Sequence, residues 1–197
     1  MAAVGLVLLA PALALIALTI RLAMGSPAIF TQQRPGLRGR PFTLYKFRSM
    51  TEARDLGGEL LPERARLTRL GRALRSTSLD ELPELVNVLK GDMSLVGPRP
   101  LLMRYLGRYT PEQFRRHEVR PGITGWAQLN GRDTLPWEER FALDVWYVDN
   151  RSFWLDVRIL LATISKTLRQ AGVRQPGEGP VGEFQGSRGR HDLGGAR

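Results

Sequence analysis

Residues 2 to 20 carry no charged side chain, and that run limits what this chain can fold into. At about 1.5 Å per residue, a helix over the run nearly matches the ~30 Å hydrocarbon core of a bilayer. Pro11 stands at its middle, where a missing N–H and a clash with the preceding turn kink or break a helix. Two half-helices meeting at Ala10-Pro11 would enter one leaflet and turn back. On these residues alone a kinked span and a re-entrant hairpin are both open. A cleaved signal peptide lacks its basic leader here. Arg21, Arg34, Arg38, Arg40, Lys46 and Arg48 follow the run, which places the downstream side in the cytoplasm.

Behind this segment 197 residues leave enough chain for one core of ordinary size. The absence of cysteine excludes disulfides and thiolate metal sites, and two histidines are too few for a histidine-rich one. A net charge of +10 points to an anionic partner: nucleic acid, anionic lipid or a phosphorylated substrate.

Ser26 to Gln33 and Phe42 to Met50 read as strands separated by Pro35-Gly36 and Gly39 turns. The second carries Lys46 and Arg48 at one end of a face. Residues 52 to 74 are charged and weakly helical. Ser78 then opens a helix, with Glu81 at the capping-box spacing. Leu82, Leu85, Val86 and Leu89 form its apolar face, and Gly91 stops it. Met93 to Val96 is a short strand before Gly97-Pro98-Arg99-Pro100. Leu101 to Tyr109 and Pro111 to Val119 read as helices, and Arg120 to Arg132 as a Gly-rich strand and turn. Two helices follow, one marked by Trp137, Phe141, Val145 and Val148, the other by Phe153, Val157, Leu160, Leu161, Ile164 and Leu168. The last has basic residues beside its apolar face and fits either a core or a membrane surface. Glycine, proline and charge dominate the end, which is expected to be a flexible tail.

The expected fold is α+β: a mostly helical small domain with short strands, an N-terminal membrane helix and interfacial amphipathic helices. Residues 1–24 form the membrane segment, 25–172 the domain and 173–197 the tail.

Asp80 and Glu81 are adjacent at a helix start, where exposed N–H groups favour negative charge. Neighbouring helix positions diverge by about 100°, so two separate roles suit them better than one shared proton. Around them in sequence lie Lys46, Arg48, Arg75, Arg99, Arg120 and Arg132, mostly beside glycine, proline or turns. Arginine makes planar bidentate contacts with phosphate oxygens. Paired carboxylates among such cations suggest a diphosphate bridged by a divalent cation. Taken singly, each cation also reads as a solvated charge, and the carboxylates as a cap. Asp92 is either a third metal ligand or a cap after Gly91. No Walker loop, GxGxxG fingerprint or Gly-x-Ser-x-Gly turn is present.

The blocks Gln33-Arg34-Pro35-Gly36, Lys46-Phe47-Arg48-Ser49-Met50, the run from Asp80 to Pro100, and Arg120 to Gln128 resemble the bacterial sugar transferases. These are the monotopic polyprenyl-phosphate phosphoglycosyl transferases, here in the minimal catalytic form. The resemblance runs from the membrane segment to about residue 172. It implies transfer of a sugar 1-phosphate from a UDP-sugar to undecaprenyl phosphate, with release of UMP, at the start of glycan assembly. It implies Asp80 as nucleophile, forming a phosphosugar-aspartate with Mg2+ at Asp80 and Glu81, where Glu81 supports either the metal or the acceptor. Lys46, Arg48, Arg75, Arg99 and Arg120 become the substrate-phosphate residues. The partners are UDP-sugar, undecaprenyl phosphate and inner-membrane lipid, not nucleic acid, and the domain lies on the cytoplasmic face. In the family the membrane helix breaks at Ser-Pro and re-enters; Ala10-Pro11 stands there, with Pro11 the expected break. The competing reading is a membrane-tethered basic module that holds anionic polymer without catalysis. Its binding would fall steeply with salt and survive loss of Asp80.

Overall fold

The computed structural model describes residues 2–131, 135–170 and 182–186. Helix α1 (Ala2–Met24) comes first and runs through Pro11 as one element. The two separate half-helices expected at Ala10-Pro11 are therefore not formed. Proline removes one backbone hydrogen bond, but its fixed φ is compatible with a helix. Tertiary packing also holds both halves of α1. Ile20 is fully buried against Phe47 and Leu74, and Leu13, Ile16, Ala17 and Met24 pack beside it. Near the other end a Cβ at Gly5 would fall 4.0 Å from Leu85 Cδ1. One stripe of α1 thus docks on the domain along most of its length, while Val7, Leu8, Leu15, Leu18 and Leu22 face outward. Gly5–Met24 is long and apolar enough to cross a membrane.

Strands β1 (Ile29–Pro35) and β2 (Pro41–Phe47) form an antiparallel hairpin, with Ile29 opposite Phe47 and Pro35 opposite Pro41. Both faces of β2 are covered, as its alternation requires. Phe42 and Leu44 pack on Met93, and Phe47 on Ile20 and Leu74. Two helices follow, α2 (Glu63–Arg66) and α3 (Arg69–Ser76). A Cβ at Gly71 would fall 1.8 Å from the Ser49 carbonyl oxygen, so only glycine lets α3 rest on the end of β2.

Helix α4 (Glu84–Lys90) is shorter than the expected helix from Ser78. Residues Leu79–Glu81 form a separate 3-10 turn, and Ser78 before it takes φ 58° with no side-chain cap. The expected capping box is absent because the Glu81 carboxylate is drawn to cations instead of the Ser78 amide. Gly91 ends α4 in the left-handed conformation, φ 79°, as expected. Asn87 fastens α4 to the unpaired edge of β2. Its Nδ2 donates to the Thr43 carbonyl at 2.7 Å, and its Oδ1 accepts from the Tyr45 amide at 3.2 Å. The side chain completes a ladder that no strand continues.

Strand β3 (Ser94–Val96), helix α5 (Pro111–Phe114), strand β4 (Gly122–Thr124) and helix α6 (Trp126–Asn130) follow. β3 and β4 pair in parallel. Met103–Arg108 and Arg115–His117 are 3-10 turns where longer helices were expected. Helix α7 (Trp137–Asn150) buries Phe141, Asp144, Val145, Tyr147 and Val148. Helix α8 (Phe153–Gln170) buries Ile159 and leaves Phe153, Trp154, Leu161 and Ile164 exposed. Its expected apolar face is therefore turned largely outward, not into the core. Within the expected tail, only 182–186 lie among the described residues. These five dock on the domain through Phe184, 1% exposed, so a flexible reading does not hold for them. The architecture is mixed, predominantly helical with short strands.

Candidate active site

The β2 end, the 3-10 turn Leu79–Glu81 and the first turn of α4 meet at Lys46. Its Nζ lies 2.8 Å from Glu81 Oε1 and 3.1 Å from Glu84 Oε1. Arg99 Nη2 approaches the same Glu81 oxygen at 2.7 Å. Asp80 is buried and, of the three carboxylates, is the one that enters no salt bridge among the described residues.

The three acids sit in different electrostatic environments. Burial pushes the Asp80 carboxyl up, and the Glu81 charge adds to this, against the pull of Lys46, Arg75 and Arg99. Burial would raise Glu81 as well, but Arg99 and Lys46 outweigh it and hold it far below the usual carboxylate range. Glu84 shares Lys46 with Glu81 and loses that competition. Burial pushes it up to about 7. One site therefore holds a permanently ionised acid, a basic buried carboxylate and a group that titrates near neutrality.

Cations ring these acids. Arg75, in the last turn of α3, donates from Nε to Ser49 Oγ at 2.9 Å and acts electrostatically on Asp80. Arg34, in β1, donates to Gln32 Oε1 at 2.7 Å, and its buried Nε has no partner. Burial and the Arg99 charge lower its pKa to about 10, so it stays charged at neutral pH. Arg99 is itself held from behind. The guanidinium of Arg116, 2% exposed, donates to the Arg99 carbonyl at 2.8 Å and to Asp144 Oδ2 at 2.7 Å.

Of the sequence candidates, Asp80, Glu81, Lys46, Arg75 and Arg99 converge here. Arg48 does not. Its guanidinium donates to the carbonyls of Met24, Gly25 and Ser26, at 2.5 Å for Gly25, and so caps the α1 C-terminus. A cation there satisfies orphan carbonyls, which is why it is buried away from the dyad. Arg120 is exposed ahead of β4. Arg132 lies outside the described residues. Asp92 sits past the far end of α4, whose seven residues span about 10 Å. It accepts from Asn87 Nδ2 at 3.4 Å, which suits the cap rather than a third ligand. Pro11 lies inside α1.

Sequence reasoning did not single out Glu84, Arg34, Asn87 or Arg116. Glu84 lies four residues after Asp80, and one helical turn from a dyad was the available signal.

The bacterial sugar transferase family model matches residues 1–170. A Bacillus subtilis protein, described as the uncharacterized sugar transferase EpsL, is 61% identical over 168 residues, 85% of this chain and 83% of that one. The UDP-glucose:undecaprenyl-phosphate glucose-1-phosphate transferase of Escherichia coli is 42% identical over 171 residues, 82% of this chain and 37% of its own length. The undecaprenyl-phosphate galactose phosphotransferase of Salmonella typhimurium is 43% identical over 165 residues, 75% of this chain and 35% of its own. The chain thus spans little more than a third of those two relatives. With a family match over nearly the whole folded region, the chain belongs to the bacterial sugar transferase family.

Proposed function

We propose that this chain transfers a sugar 1-phosphate from a UDP-sugar to undecaprenyl phosphate and releases UMP, with Asp80 as the nucleophile. The observation that carries the reading is the division of labour in the site: Glu81 is tied to Lys46 and Arg99, while the neighbouring Asp80 carboxylate is buried, basic and in no salt bridge among the described residues. A raised pKa makes a carboxylate a stronger nucleophile once ionised, and the three nearby cations keep ionisation within reach.

An Asp80 oxygen attacks the phosphorus that bears the sugar. The bond from that phosphorus to the bridging oxygen breaks, and UMP leaves with the electron pair. A phosphate oxygen of undecaprenyl phosphate then attacks the same phosphorus and frees the Asp80 carboxylate. Undecaprenyl diphosphate-sugar is the product. Arg99, Lys46, Arg34 and Arg75 face the charge carried by the diphosphate; Arg34, with its unpartnered buried N–H, is the addition to the sequence-based set. Arg48 instead holds the carbonyls at the end of α1.

Magnesium fits the donor set, since it is commonly held by one or two carboxylates and substrate phosphates. Asp80 and Glu81 would be the protein's share. When bound, it would neutralise charge on the diphosphate.

The outward apolar faces of α1 and α8 suit a membrane surface. A helix crossing the bilayer would carry Gly5 away from the domain, yet a Cβ at Gly5 would lie only 4.0 Å from Leu85 in α4. We therefore place α1 within one leaflet, both ends on the cytoplasmic side where UDP-sugars are found. An unbroken helix meets this by lying along the leaflet, in place of the hairpin expected from a break at Pro11.

The test is UMP release from a panel of UDP-sugars by purified protein with undecaprenyl phosphate and Mg2+. Release with one sugar, lost in Asp80→Asn, is expected. No release with any sugar, together with anion binding unchanged in Asp80→Asn, would leave the basic-module reading instead.

A further inference from the structure

Phe184 is the one Phe, Tyr or Trp after Trp154, and it is 1% exposed. It packs with Leu101, Tyr105 and Phe141. Its ring meets Phe141 edge-on at 5.0 Å and Tyr105 edge-on at 5.6 Å, and stacks with Tyr109 at 5.7 Å. Backbone bonds hold it on both sides. Trp137 Nε1 donates to the Gly182 carbonyl at 2.7 Å, and Arg108 donates to the Phe184 carbonyl. Between them the Glu183 carboxylate pairs with Arg104 at 2.8 Å and Arg108 at 3.1 Å. Ordering a glycine-flanked segment costs backbone entropy, and the buried aromatic with its charged rim supplies the compensating interactions.

The pocket leads to the dyad through direct contacts. The Tyr109 hydroxyl, on the ring stacked with Phe184, accepts from Arg116 Nη1 at 3.3 Å. Arg116 donates to the Arg99 carbonyl, and the Arg99 guanidinium holds Glu81. Met103–Arg108, the other wall of the pocket, follows Arg99 by only four residues.

We propose that residues 182–186 are an intramolecular strap, and that its seating of Phe184 among Tyr105, Tyr109 and Phe141 holds Arg99 against Glu81. The pocket is thus a binding site for an acidic-aromatic segment, and Phe184 is a positioning residue. The turnover half rests on the transferase reading above; the docking half does not.

The test uses the full chain carrying Phe184→Ala and a fluorescein-labelled peptide of residues 180–188. By anisotropy the variant binds the peptide saturably. The wild-type chain, its pocket filled by its own segment at high effective concentration, binds at least ~10-fold more weakly. A peptide carrying the same Phe184→Ala change does not bind. In the variant kcat falls about 10-fold while KM for the UDP-sugar moves less than ~3-fold, and saturating peptide restores kcat. Equal binding by both chains, or none by either, overturns the strap. Binding without a change in kcat, or a kcat loss that bound peptide does not restore, overturns the positioning role. Absence of turnover in the wild-type chain counts against the transferase reading, and anisotropy still decides docking. Should Phe184→Ala not fold, Glu183→Gln at the exposed rim takes its place: amide exchange at 182–186 and 101–109 must quicken, and unchanged exchange overturns the strap.

Discussion

Glu84→Gln should change how stability depends on pH, by an amount the structure sets. Glu84 is 3% exposed, and burial raises its pKa from 4.5 to about 7. Between those values the folded chain holds a proton that the unfolded chain has released. Stability therefore falls as pH rises through the window, and the loss is complete above pH 7. A shift of that size corresponds to about 3 kcal/mol at about 1.4 kcal/mol per unit. Glutamine keeps an oxygen for Lys46 and cannot ionise, so the loss disappears. Its amide is a new buried donor, which costs about 1 kcal/mol at every pH and shifts the curve without tilting it. His117 contributes the opposite slope. Burial and the adjacent Arg116 lower its pKa from 6.5 to about 4, so the unfolded chain binds the proton first and stability is lost as pH falls through that range. In the wild type the two slopes largely offset each other between pH 4.5 and 6.5; in Glu84→Gln the acid loss from His117 stands exposed. Urea unfolding followed by circular dichroism at pH 4.5, 6 and 8 measures this. The variant should gain about 3 kcal/mol on the wild type between pH 4.5 and pH 8. Parallel curves would refute the assignment of Glu84 as the buried acid that yields Lys46 to Glu81.

Arg99→Ala should cost roughly 2–4 kcal/mol of transition-state stabilisation in UMP-release kinetics, and Arg99→Lys should recover only part of it, because a point charge cannot serve Glu81 and a phosphate as a planar fork does. A lysine variant at wild-type rate would show that charge alone matters there. Asn87→Ala leaves the Thr43 carbonyl and Tyr45 amide on the β2 edge without their partner and should lower unfolding free energy by about 3 kcal/mol; a loss below ~1 kcal/mol would show that water replaces the side chain. A single cysteine at position 2, in a chain with no native cysteine, should resist a membrane-impermeant thiol reagent on intact cells; labelling would mean that α1 spans.

Local patterns in the sequence carried a good part of this arrangement. The dyad, Lys46 and Arg99 stand out because carboxylates and cations cluster at turns, and Gly91 because only a left-handed stop needs glycine. Arg48 looked equivalent to Lys46, two residues earlier on the same strand face. Nothing local reveals that the α1 C-terminus arrives beside Arg48 with unpaired carbonyls. Ser78 has the spacing of a cap, yet the tertiary pull of Lys46 and Arg99 on Glu81 is stronger than a capping bond. The core face of α8 centres on Ile159, while Phe153, Leu161 and Ile164 stay exposed, since hydrophobic spacing alone does not say which apolar stripe packs inward. Phe184 is hidden by composition: one aromatic among glycines gives no periodicity, although its isolation there was the available signal.

In the proposed transfer Asp80 donates the attacking oxygen of the first displacement. Incubating the protein with its UDP-sugar and Mg2+ but no acceptor, then mapping the acid-quenched chain by mass spectrometry, tests this directly. The account predicts a phosphosugar on Asp80, with UMP released in matching amount, and loss of the adduct when undecaprenyl phosphate is added. An adduct on another residue, or UMP formed only when both substrates are present and never with a labelled chain, would contradict it.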